Sequence, residues 1–181
     1  MKAVFLDRDG VINRYPGDAK YVTKWEEFRF LPNTKKAIAL LNKNKYKIFV
    51  ISNQAGVGKE IYSQKALDTI TKRMLIELKE FPATIDRVCY CTHREEDGCS
   101  CRKPKAGLIY LATKATSISI KDSFLIGDTI RDVLTARTAG CKSILVFSGK
   151  EKPDNSAQWE MQPDYVFANL YAAAKFIVSA D

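Results

Sequence analysis

The sequence predicts an α/β fold, a three-layer, doubly wound parallel sheet with helices on both faces, and three observations carry that prediction. Short runs rich in apolar and β-branched residues recur at positions 3–6, 48–51, 86–91, 124–126, 143–147 and 165–167. Stretches with apolar residues at helical spacing separate them. Alternation of the two makes the crossovers right-handed and the strands parallel. Finally, several runs end in polar, chemically useful residues, and the carboxyl ends of strands are where open α/β sheets bind their ligands.

Residues 3–6 form a buried first strand, followed at once by Asp7, Asp9 and Gly10. Residues 11–30, rich in Tyr, Pro and Gly without a helical period, predict an irregular excursion over the same end of the sheet, with a small hairpin in it. Asn33 or Thr34 is expected to cap a helix whose stripe is Ala37, Ile38, Leu40 and Leu41. The strand at 48–51 runs into the turn Ser52-Asn53-Gln54-Ala55-Gly56-Val57-Gly58. Ser63 caps a helix reaching about Lys79, with Leu67, Ile70, Met74, Leu75 and Leu78 inside. Pro82 breaks that pattern, and a third strand at 86–91 leads into a polar, cysteine-rich loop ending at Pro104. A helix at 108–115 precedes the strand at 124–126, which ends in Gly127-Asp128. The helix Ile130–Ala139 stops at Gly140, and a strand follows at 143–147. Residues 148–163, polar with two prolines, predict a surface loop before a short last strand and a helix at 170–178. One domain over residues 1–181 is expected, with no large cap domain.

A length of 181 residues with 46% hydrophobic and 28% charged residues suits a packed globular core. No apolar run approaches the roughly 20 residues of a membrane span. The start reads as a strand and an Asp-rich turn, not as a signal peptide, so a cytoplasmic protein with no membrane association is expected. The net charge of +8 favours anionic partners. Three of the five cysteines, Cys91, Cys99 and Cys101, lie beside the single histidine, His93. In a cytosolic chain that spacing favours a metal over disulfides. Three thiolates and an imidazole make a closed tetrahedral Zn2+ set of the structural kind.

Four stretches at strand ends suit phosphoryl transfer: Asp7-x-Asp9-Gly10, Ser52-Asn53, Arg102-Lys103-Pro104, and Gly127-Asp128 with Asp132. The reaction needs a nucleophile, a proton donor for the leaving group, and cations and donors around the equatorial oxygens. Asp7 is the candidate nucleophile and Asp9 the candidate general acid and base. Mg2+ held by Asp7, the backbone carbonyl of Asp9 and Asp128 would offset the repulsion between carboxylates and phosphate. Ser52 and Lys103 are the candidate phosphate clamp. Asp132, one turn beyond Asp128, would orient the metal shell or Lys103.

In this order the motifs resemble those of the haloacid dehalogenase superfamily phosphatases over roughly residues 3–148. Asp-Arg-Asp-Gly, Ser-Asn-Gln-Ala-Gly-Val-Gly and Cys-Arg-Lys-Pro are most similar to the branch of the D-glycero-D-manno-heptose 1,7-bisphosphate and histidinol-phosphate phosphatases. The resemblance implies a Rossmann-like fold and an aspartyl-phosphate intermediate. It also implies zinc at the matching cysteines and a bisphosphorylated heptose as first substrate, with histidinol phosphate as the alternative. Arg102 matches an arginine that contacts the second phosphate in that branch. Asn53, Arg14 and Tyr21 are the further candidates for substrate contact. Two departures stand out. Thr129 occupies a position where a lysine or arginine often follows the metal-binding aspartate, and residues 14–21 are longer than the usual heptose-binding stretch. A polynucleotide 3'-phosphatase shares the Asp-x-Asp-Gly core and suits the basic charge, but no row of interleaved aromatic and basic residues supports a nucleic-acid partner. A zinc-stiffened binding module would lack the two aspartates. A monomer with an open site is expected.

Overall fold

The computed structural model describes residues 1–180. Six strands, β1 (Ala3–Leu6), β2 (Lys47–Asn53), β3 (Arg87–Cys91), β4 (Phe124–Gly127), β5 (Lys142–Val146) and β6 (Tyr165–Phe167), form one sheet. Its order is β3-β2-β1-β4-β5-β6, with every pairing parallel. The helices are α1 (Thr34–Lys43), α2 (Gln64–Lys79), α3 (Gly107–Thr113), α4 (Ile130–Ala139) and α5 (Leu170–Ser179).

The period of two along the buried strands sorts side chains between two helical layers. Val4 and Leu6 of β1 join Ile48, Val50 and Ile126 under α1, α2 and α5, where Ile38, Leu41, Ile70, Met74 and Ile177 meet them. Ala3 and Phe5 face the other way, with Phe49, Ile51 and Leu125, against Leu108, Ile109 and Ala112 of α3 and Ala136 of α4. The strand order reverses at β1: the chain builds outward through β2 and β3, then crosses back to place β4 on the other side. The crest between β1 and β4 is therefore the switch point, where the loops part and leave a crevice.

Ser63 caps α2, its hydroxyl accepting from the Ala66 N–H at 3.2 Å, and Gly140 ends α4 in the left-handed region at φ 80°. The expected cap on α1 differs. Asn33 has φ 62° and makes no side-chain cap bond, and the buried Thr34 hydroxyl has no partner among the described residues. Asn33 thus stands in the left-handed region and not in the extended conformation from which a capping side chain reaches the first turn. The expected hairpin in residues 11–30 is reduced to isolated bridges, Asp9 with Asn13 and Asn13 with Phe30, plus a 3-10 turn at Trp25–Glu27. No helix among the described residues is long and apolar enough to cross a membrane.

Candidate active site

Asp7 follows β1 and Asp128 follows β4, so two adjacent strands deliver two carboxylates to the switch point. Asp132, in the first turn of α4, completes a trio whose oxygens lie within 4.8 Å of one another. All three residues are buried. Burial pushes the Asp7 carboxyl above its ordinary value, against the pull of Lys103. Asp128 is pushed up further, by burial and then by the charges of Asp7 and Asp132. Even with the Lys103 ammonium against it, this trio carries an excess of negative charge, and its chemistry, hard carboxylate oxygens facing one point, fits a divalent cation. Two glycines let the chain approach it. A Cβ on Gly10, which has φ +85°, or on Gly149 would lie 2.2 or 1.9 Å from the Asp128 Oδ2 atom.

Lys103 is 3% exposed and bridges Asp7 at 2.8 Å and Asp132 at 2.5 Å. Burial alone would lower its pKa, but the charges of Asp132 and Asp7 hold it above the ordinary value. Its backbone is clamped from the end of β2: the Asn53 amide donates to the Lys103 carbonyl at 3.1 Å and accepts from its N–H at 3.0 Å. Asn53 thus positions the lysine as well as lining the cavity. Thr129 lies in the capping box of α4, its hydroxyl donating to Asp132 at 2.7 Å.

Asp9 has a cradle that no sequence pattern revealed. Its Oδ1 accepts from the Asn13 amide at 2.8 Å and its Oδ2 from the Gln54 amide at 2.8 Å. Arg8 Nη2 lies 3.1 and 3.0 Å from the two oxygens. Gln54 is oriented in turn by the Tyr62 hydroxyl at 2.7 Å, and the fully buried Arg8 guanidinium lies 5.7 Å from the centre of the Tyr90 ring. The only signal in the sequence is the position of these polar residues beside the aspartates and the Ser52 turn.

A cavity of about 570 Å³ opens above the carboxylates. Asp7, Asp9, Ser52, Asn53, Tyr21, Arg102, Lys103 and Asp128 all line it, so the structure brings together nearly every candidate. Arg14 is the exception and lines a neighbouring groove. The Arg102 guanidinium leans toward the cysteine loop, 3.4 Å from the His93 carbonyl oxygen and 3.9 Å from Glu95.

Cys91 ends β3, and His93, Cys99 and Cys101 lie on the following loop. Five of the six pairs of ligand atoms lie at 3.3–3.6 Å and all lie within 4.8 Å of one another, close to the roughly 3.8 Å edge of a tetrahedron with 2.3 Å metal–sulfur bonds. Burial, with the neighbouring thiols, pushes Cys91 up to about 12. Burial acts the same way on Cys99, but the Arg102 N–H and the adjacent sulfurs bring it down to about 7.

Comparison with known proteins joins these observations. Residues 100–173 match the HAD-hydrolase-like family model. The chain is 34% identical over 184 residues to the D-glycero-beta-D-manno-heptose-1,7-bisphosphate 7-phosphatase of Haemophilus ducreyi, covering 97% of this chain and 98% of that protein. A Campylobacter jejuni relative, named for the alpha anomer of the same substrate, is 34% identical over 151 residues, 83% of this chain and 85% of its own. Among solved structures, the heptose 1,7-bisphosphate phosphatase of B. bronchiseptica, complexed with magnesium and phosphate, superposes with a TM-score of 0.92 at 30% identity and full coverage of both chains.

Proposed function

From the premise that this chain belongs to the HAD-like hydrolases, in the branch of the heptose bisphosphate phosphatases, we propose that it hydrolyses the 7-phosphate of D-glycero-D-manno-heptose 1,7-bisphosphate. The observation that carries the reading is the buried carboxylate trio facing Lys103 at the switch point.

The Asp7 carboxylate attacks phosphorus, forming an acyl phosphate while the bond from phosphorus to the sugar oxygen breaks. Asp9 gives its proton to the departing alkoxide. In the second step Asp9 takes a proton from water, whose oxygen attacks the same phosphorus. The bond to the Asp7 oxygen breaks, releasing inorganic phosphate and restoring both carboxyl groups. The Asn13, Gln54 and Arg8 donors orient Asp9 for both transfers. Ser52 and Lys103 hold the equatorial oxygens, and Asn53 fixes Lys103. Mg2+ held by Asp7, the Asp9 carbonyl and Asp128 would supply charge neutralisation on the transferring group. Zn2+ held by Cys91, His93, Cys99 and Cys101 would be structural, stiffening a loop that carries Arg102, the candidate contact to the second phosphate.

Phosphate release with Mg2+ tests the reading, with heptose 1,7-bisphosphate, histidinol phosphate and 3'-phosphorylated DNA as substrates. The heptose bisphosphate is expected to show the highest kcat/KM. A higher value for histidinol phosphate or DNA would overturn the substrate assignment, and inactivity on all three would overturn the hydrolase.

A further inference from the structure

Two peculiarities of the chain, Thr129 in place of a cation and the long segment at 14–21, line the same cavity. The Lys150 ammonium lies 2.8 Å from Asp18, and Asp18 also accepts from the Tyr15 hydroxyl at 2.6 Å. Both residues line the cavity above Asp7. The Asp7 side chain is 13% exposed, whereas Lys150 is 48% and Asp18 74% exposed, so the ion pair spans the mouth and not the floor.

The two partners are held differently. The backbone of Lys150 is fixed on the reacting centre: its N–H donates to Asp128 Oδ2 at 2.8 Å, and Gly149 lies against that same carboxylate. Glu151 N–H donates to the Asp128 carbonyl at 3.0 Å, and the Lys152 ammonium ties down the carbonyls of Phe147 and Gly149. Asp18 sits in a segment whose ends are anchored at Arg14, bonded to Arg29, and at Tyr21, packed on Tyr62. Gly17 at φ 108° and Ala19 at φ 57° bend the chain on either side of it. A flexible lysine stem therefore rises from a rigid base next to the metal-type aspartate, and its head rests on an exposed carboxylate. Exposed pairs of this kind are weak, and a phosphate dianion is a stronger partner for an ammonium than a carboxylate monoanion.

We propose that Lys150 binds the second phosphate of a bisphosphorylated substrate, and that Asp18 is the resting counter-ion which that phosphate displaces. This rests on the reading that the substrate carries two phosphates. Lys150 then supplies, from the loop after β5, the cation that position 129 lacks, since Thr129 is committed to Asp132. Residues 14–21 supply the competitor. A substrate with one phosphate leaves the pair intact, and one with two exchanges it, so the pair sharpens the preference for the bisphosphate.

The test is the ratio of kcat/KM for heptose 1,7-bisphosphate to that for heptose 7-phosphate, which share the leaving group and differ in the second phosphate. Lys150→Gln is expected to lower this ratio about tenfold, the loss of one charge-assisted bond, mainly through KM. Asp18→Asn is expected to raise it about threefold, the release of a weak exposed competitor. The opposite signs are the signature, because a purely structural strap would shift the ratio the same way when either partner is lost. Shifts of equal sign, or a ratio that neither variant moves in a wild type that prefers the bisphosphate, would overturn the proposal alone. A wild type with no activity on the bisphosphate would instead overturn the substrate reading on which it stands.

Discussion

Asp7 and Asp128 stand at the ends of two hydrogen-bonded strands, while His93, Cys99 and Cys101 lie where the chain between β3 and α3 has no helix or strand. Both groups suit a metal, but they are supported differently. The carboxylates are brought together by the sheet itself, against their mutual repulsion, because the burial of two apolar layers dictates where β1 and β4 end. The cysteine loop is tied to the rest by scattered hydrogen bonds: Gly58 N–H to the Thr92 carbonyl at 3.1 Å, Arg94 Nε to the Gly58 carbonyl at 2.6 Å, and the Lys105 ammonium to the carbonyls of Gly98 and Cys99. At one site the fold imposes a geometry that a cation would relieve. At the other the ligands themselves would organise the chain, as in small zinc modules.

Chemistry is thus expected to fail at the first site without loss of fold, which Asp7→Asn tests most severely. The amide cannot form the acyl phosphate, and turnover should fall by about 10⁴-fold or more while Tm holds or rises. Retained turnover would remove Asp7 from the role of nucleophile. Gly149→Ala is a gentler probe of the same site. A Cβ there lies 1.9 Å from Asp128 Oδ2, so the carboxylate or the loop must move, and Mg2+ affinity should fall by about 10–100-fold, the range seen when a ligand's support is disturbed. A titration of activity against Mg2+ gives the number, and an unchanged midpoint would mean that the loop, not the Asp128 carboxylate, gives way.

At the second site the order of effects should invert. Cys99→Ser, or stripping with a zinc-selective chelator with Mg2+ kept saturating, should lower Tm by several degrees and raise KM for the bisphosphate while kcat falls less than tenfold. Lys103 is held independently of the loop by Asn53, whereas the Arg102 guanidinium leans on the His93 carbonyl and Glu95 of the loop itself. Zinc content, Tm and the split between kcat and KM are the readouts. A kcat collapse equal to that of Asp7→Asn would mean that the loop takes part in chemistry.

The same contrast explains what was legible in the amino-acid sequence. Asp7, Ser52 and Asp128 could be placed because each directly follows an apolar run or closes the strand it belongs to, and strand ends in a parallel sheet converge. The cysteines could be grouped because metal ligands keep local spacing. The cradle of Asp9 was hidden: Arg8 is a charged residue with 0% exposure, and its burial follows from the ring of Tyr90 and the carboxylate of Asp9, which only the folded chain brings together. Lys150 was hidden for the same reason, being far in sequence from Asp18 and read as part of a solvated loop. Asn33 shows the converse failure, a good cap by residue type that its left-handed backbone leaves unused.

The smallest expected effect concerns stability, and it separates the two sites by sign. Burial, then Asp7 and Asp132, raise the Asp128 carboxyl well above 3.8 in the folded state. Between its unfolded and folded pKa values the native protein binds more protons than the unfolded chain, so without metal stability falls as pH rises through that window. Asp128→Asn removes the charge and should flatten that decline. Near neutral pH the metal-free variant should melt above the metal-free wild type, by about 2–4 °C for each kcal/mol relieved. Mg2+ should then raise the Tm of the wild type and leave the variant unmoved, since ligation stabilises only a state that binds the ion. Scanning calorimetry with and without Mg2+, from about pH 4 to pH 8 across the carboxylate range, decides it. A variant less stable than the wild type without metal would show that the carboxylate trio supports the fold, and the contrast with the cysteine loop would be lost.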